Sequence, residues 1–106
     1  MAVLSVTEQN FESVVLHAQK PVLIDFYATW CGPCKMLGPV LEKLSGEMAD
    51  KASFYGVDVD ENSDLAEEFG VMSIPTLVIL KNGEKVAERL GFAPEPILKS
   101  WLESNL

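Results

Sequence analysis

Only two cysteines and one histidine occur among the 106 residues. That scarcity excludes a great deal. A disulfide-stapled scaffold needs several pairs, and a structural zinc site usually draws four ligands from Cys and His. Cys31, Cys34 and the distant His17 do not make up such a set, so zinc is disfavoured and His17 reads as a surface or boundary residue. Lys and Arg are also few, 8 against 16 Asp and Glu, for a net charge of -8. Phosphate-binding surfaces need clustered cations, which argues against nucleic acid and anionic membranes as partners; the acidity reads as solubility. No apolar run approaches the roughly 20 residues that span a bilayer. The opening Met1-Ala2-Val3-Leu4-Ser5 has neither the basic start nor the long apolar core of a secretory signal. A reducing compartment, most simply the cytoplasm, is the expected location.

What is present suffices for one domain, residues 1–106, with one core: 48% of the chain is hydrophobic. Its organisation is α/β. Val3 to Val6 reads as a short edge strand, and Thr7 and Asn10 both offer N-caps for a first helix. Phe11, Val14, Val15 and Ala18 give that helix one buried stripe. Val22 to Tyr27 is almost continuously apolar, the mark of a central strand covered on both faces. The next helix starts at the cysteines and continues through Met36, Leu37, Val40, Leu41 and Leu44, with Pro39 inside it as a kink site. Ala52 to Val59 is a second strand. Ser63 can cap a short helix over Leu65, Ala66 and Phe69, closed by Gly70. Thr76 to Leu80 is another buried strand, and Asn82-Gly83 signals a hairpin returning along Lys85 to Leu90. Gly91 breaks that strand. A final amphipathic helix places Ile97, Leu98, Trp101 and Leu102 on its inner face. The sum is an α/β sandwich around a mixed sheet of four to five strands.

The cysteines carry the chemistry. They stand three apart in Trp30-Cys31-Gly32-Pro33-Cys34-Lys35, at a strand-to-helix junction. Closing so small a loop would contribute only about 2 kcal/mol, against ~4.7 for a loop of ~100 residues, so a structural staple explains the pair poorly. Exchange with other disulfides explains it better. A thiolate is needed, and a helix N-terminus favours that anion through its unpaired N–H groups and dipole. Pro33 suits the first turn, where its missing donor loses no partner. Cys31, off the helix end, is the exposed candidate nucleophile; Cys34, one turn inward, is the resolving thiol. Gly32 and Pro33 carry no charge to stabilise a reduced thiolate further, which favours a reductant over an oxidant, and the solvated Lys35 matters less. Asp25 lies six residues before Cys31 among apolar neighbours. Either burial raises its pKa so that it takes a proton from Cys34, directly or through one water, or it is a structural carboxylate capping a helix or pairing with a lysine.

The segment Asp25-Phe26-Tyr27-Ala28-Thr29-Trp30-Cys31-Gly32-Pro33-Cys34-Lys35 resembles the active-site segment of the thioredoxin family. The resemblance extends through Asp58-Val59-Asp60, Ile74-Pro75-Thr76, Asn82-Gly83 and Gly91 in order, over the whole chain. It implies a three-layer sandwich with four helices, a redox-active Cys31–Cys34 disulfide and no bound cofactor. It further implies a cis Ile74-Pro75 bond beside the cysteines, with the target backbone pairing at Ile74. Trp30, Gly32, Pro33, Ile74, Pro75 and Gly91 would bind substrate, with Phe92 more in keeping with ordinary core packing. Trp101 and the methionines look like core filler. Thioredoxin reductase and disulfide-bearing proteins would be the partners of a monomer. Two departures stand out: Tyr27 where many members carry Trp, and Gly56 where many carry a lysine facing the buried aspartate. Without that cation the Asp25 pKa should rise further. The main reading is a protein-disulfide reductase; an oxidase or isomerase of the same fold and a redox-gated binding module are the alternatives.

Overall fold

The computed structural model describes residues 3–106; Met1 and Ala2, the first residues of the segment read for a targeting signal, lie outside them. Five strands form one mixed sheet in the order β1-β3-β2-β4-β5, comprising β1 (Val3–Ser5), β2 (Val22–Tyr27), β3 (Ser53–Asp58), β4 (Thr76–Lys81) and β5 (Glu84–Leu90). The first three run parallel to one another, while β4 is antiparallel to β2 and β5 to β4. Helices α1 (Gly32–Glu47), α2 (Ser63–Glu68) and α3 (Glu95–Asn105) join a short π-helical segment, Glu12–Leu16, to complete the four expected helices.

The apolar run of β2 works as a two-sided strand because successive side chains point to opposite faces. Val22, Ile24 and Phe26 enter a core with Phe11, Val15, Val57 and Leu65. Leu23 enters the other core, under Leu37, Leu41 and Leu44 of α1 and Leu98 and Leu102 of α3. Asp25 occupies the α1 side in the same alternation, so a carboxyl stands where the pattern calls for an apolar residue.

Several elements differ in detail from the sequence reading. The first helix is a π-type turn with no side-chain cap, because its N-cap position is Phe11, which carries no acceptor; Asn10 Oδ1 instead accepts the Thr7 N–H at 2.8 Å. Its expected stripe is nonetheless the buried one. Ser63 does not cap α2; it is the first helical residue, and the cap comes from elsewhere in the chain. Glu8 Oε2 accepts the N–H groups of Asp64 and Leu65 at 2.9 and 3.1 Å, and Asn62 Oδ1 accepts the Glu8 N–H at 3.0 Å. On α3, Leu98 and Leu102 make the buried line, whereas Ile97 is 48% exposed, about 100° round the helix. Met48 is core filler as expected, but Met36 and Met72 are exposed. Asn82 and Gly83 both take positive φ, 55° and 80°, the geometry of a tight hairpin turn between β4 and β5.

Candidate active site

Residues 28–34 run from the end of β2 into the start of α1, and the chain turns there because Cys31 takes an extended conformation as N-cap. Cys31 and Cys34 form a disulfide with their Cα atoms 5.2 Å apart. Pro33 lies in the first turn, where no backbone donor is needed. The Cys34 N–H donates to Cys31 Sγ at 3.2 Å, so one of the helix's unpaired donors already points at the outer sulfur. In the dithiol state the same donor and the positive helix end favour negative charge on Cys31.

Neither sulfur stands free. Cys31 is 5% exposed and Cys34 6%, packed with Ala28 and partly buried Tyr27, Val59 and Ile74. The expectation of an exposed nucleophile is thus corrected for this oxidised form. The difference between the two cysteines lies in hydrogen bonding and in their neighbours. Cys31 Sγ lies 3.9 Å from the Ile74 carbonyl oxygen, and the Ile74-Pro75 bond is cis. Gly91, at φ 81°, donates its N–H to the Pro75 carbonyl at 2.9 Å. One backbone hydrogen bond therefore ties the start of β4 to the end of β5 beside Cys31.

Large apolar side chains are exposed on and beside these segments: Trp30 at 68%, Met72 at 97% and Phe92 at 40%. Phe92 is accordingly no core residue. Trp30 is held by its indole N–H, which donates to Asp60 Oδ2 at 2.8 Å. The sequence reading has Asp60 only within Asp58-Val59-Asp60 and Met72 only as core filler, neither as a site residue. An Asp beyond a strand carries no local signal of an indole partner 30 residues earlier, although Met72, two residues before Ile74, could have been flagged by its position.

Asp25 lies inside, below this surface. It is 7% exposed, its Oδ1 has no hydrogen-bond partner among the described residues, and burial pushes its pKa up to about 7. It lines a cavity of about 200 Å³ together with Cys34, Tyr27, Gly38 and Gly56. Across the sheet its direct neighbours are Gly56 on β3 and Leu77 on β4, neither of them a cation. Oδ1 therefore caps no helix and pairs with no lysine. His17 stands exposed, 4.0 Å from Glu12. Among the described residues no three His, Cys, Asp or Glu side chains form a group that could hold a metal ion.

A vicinal dithiol–disulfide pair at a helix N-terminus, on a mixed sheet and beside a cis-proline loop, defines a thiol–disulfide oxidoreductase. The thioredoxin family model matches residues 2–104. Similar proteins include thioredoxin of Bacillus subtilis, 47% identical over 106 residues with both chains covered fully. Thioredoxin of Haemophilus influenzae is 43% identical over 104 residues, 98% of this chain and 97% of that one. Thioredoxin 2 of Chlorobaculum tepidum is 42% identical over 100 residues, 94% and 92% of the two chains. The chain belongs to the thioredoxin family. It carries that family's fold and its redox-active disulfide, Cys31–Cys34, and acts as a protein-disulfide reductase.

Proposed function

We propose that this single domain, residues 1–106, reduces disulfides of other proteins in two steps, working as a cytoplasmic monomer re-reduced by thioredoxin reductase. Cys31 thiolate attacks a sulfur of the target disulfide. A Cys31–target bond forms, and the target's other sulfur leaves with the electron pair and takes a proton from solvent. Cys34 then gives its proton to Asp25 and attacks Cys31 Sγ; the Cys31–Cys34 bond forms and the second target thiolate departs. The target chain lies against Trp30, Gly32, Pro33, Ile74, Pro75 and Gly91. The exposed faces of Trp30 and Met72 and the part-buried Ile74 supply apolar contact.

The observation that carries this reading is the 3.2 Å hydrogen bond from the Cys34 N–H to Cys31 Sγ. It supports reading Cys31 as the sulfur whose anion the helix would hold, and hence as the attacker. Insulin reduction with electrons from a thioredoxin reductase is the test. Cys31→Ser should abolish turnover, and Cys34→Ser should accumulate a mixed disulfide on Cys31. Turnover surviving in Cys31→Ser, or trapping on Cys34 instead, would reverse the assignment.

A further inference from the structure

Ser5, Gly56 and Asp25 occupy one lateral row across β1, β3 and β2, because Ser5 pairs with Gly56 and Gly56 with Asp25. Residues paired this way in a parallel sheet point to the same face, here the side of α1. With strands about 4.8 Å apart, the outer two positions are separated by about 10 Å, and the residue between them has no side chain. The cavity of about 200 Å³ lies over this gap; Leu4, Ser5, Tyr27 and Cys34 are also part of its lining. A water molecule takes up about 30 Å³ of liquid, so the space accommodates several.

The gap is polar at its outer end. Ser5 is exposed on the edge strand and lines the cavity beside Tyr27. The Tyr27 ring leans over the glycine: a Cβ at position 56 would come within 3.1 Å of Tyr27 Cε1. Leu77, its neighbour on β4, is fully buried, and α1 contributes Cys34 and Gly38 to the lining. The charged or titratable groups around it are few: Tyr27 on its own strand, Cys34 from α1, none at Gly56 or Leu77, and Ser5 from β1 is neutral.

We propose that the gap over Gly56 is the channel through which Asp25 exchanges its proton with solvent, with Ser5 and Tyr27 as positioning residues at its mouth. The inference rests on the proton role given to Asp25 above. When Cys34 attacks, its proton passes to the Asp25 carboxylate; the carboxyl later releases it along the gap to water at Ser5. The proton thus leaves at the sheet edge, away from the face on which the target chain is bound, so a docked target does not block the exchange.

NMR of the reduced protein tests the channel. In the wild type, magnetisation should pass from water to the Gly56 α protons and the Asp25 β protons. Gly56→Leu should remove those contacts and move the Asp25 midpoint up by roughly one unit, about fivefold fewer ionised carboxyls at neutral pH. The pH midpoint for releasing a chromophoric thiol from a preformed Cys31 mixed disulfide should move up with it. Should Gly56→Leu not fold, Ser5→Ala carries the test from an exposed position, with weakened water contact at Gly56 and a smaller upward shift. Absence of water contact at Gly56 in the wild type, or an Asp25 midpoint indifferent to both variants, overturns the channel. Asp25→Asn separates the two claims. If it leaves thiol release unchanged while the gap variants still shift the Asp25 midpoint, the proton role fails and the hydrated gap stands.

Discussion

At Gly56 the absence of a side chain decides the electrostatics of a neighbouring residue. Asp25 faces it directly across the β2–β3 pair, and burial alone raises the carboxyl pKa. A cation placed there should act against that burial. Gly56→Lys is therefore expected to titrate Asp25 at lower pH, followed by carboxyl NMR; an unchanged or higher midpoint would contradict the assignment. The Tyr27 ring must yield slightly to admit the new Cβ, 3.1 Å from Cε1. At this scale Cys31, Pro33 and Cys34 were fully legible, since local spacing alone puts them at a helix start. Asp25 was legible as an anomaly in an apolar run. Burial of Cys31 was not, because the residues that cover it, Val59 and Ile74 among them, arrive from distant parts of the chain.

Among the elements, strands were read best. β2 matches its expected bounds, and β3, β4 and β5 differ by a residue or so at their ends, since alternation and turn residues are local properties. Helix starts were read worst. The cap of α2 is the clearest case: its donors are satisfied by Glu8, 56 and 57 residues away, which no local capping rule anticipates. Removing that carboxylate leaves two N–H groups without their partner. Glu8→Ala is expected to cost about 1 kcal/mol, measured by urea unfolding, with faster amide exchange confined to Asp64 and Leu65. Loss of stability without that local exchange signature would assign Glu8 a different role. The Asn82-Gly83 hairpin, by contrast, is written in two adjacent residues, and both take the positive φ that such a turn demands.

For the molecule as a whole, Asp25 makes stability depend on pH in a direction opposite to that of a salt-bridged carboxylate. Its folded pKa of about 7 lies above the ordinary 3.8, so the folded state holds the proton more tightly than the unfolded chain. The resulting stabilisation is fully present below the ordinary value and is lost as pH rises from about 4 to about 7. Three pKa units correspond to about 4 kcal/mol as an order of magnitude. Asp25→Asn removes this dependence. The oxidised variant should be more stable than wild type above pH ~7, by up to a few kcal/mol, with the difference vanishing toward pH ~4. Urea unfolding across that range checks it, and a difference that is flat with pH would mean Asp25 is not the group responsible. A carboxyl retained at this thermodynamic cost fits a site kept for chemistry rather than for packing.

The near-complete covering of the Cys31–Cys34 bond also bears on which reagents can reach it. With each cysteine only 5–6% exposed, a small thiol drifting in solution meets side chains such as Val59 and Ile74 before it meets sulfur. A protein that settles on that apolar rim brings its own sulfur to the narrow opening and holds it there. The oxidised form is therefore expected to accept electrons faster from a thiol carried on a docked protein than from a small thiol in solution, a difference that stopped-flow reduction rates measure.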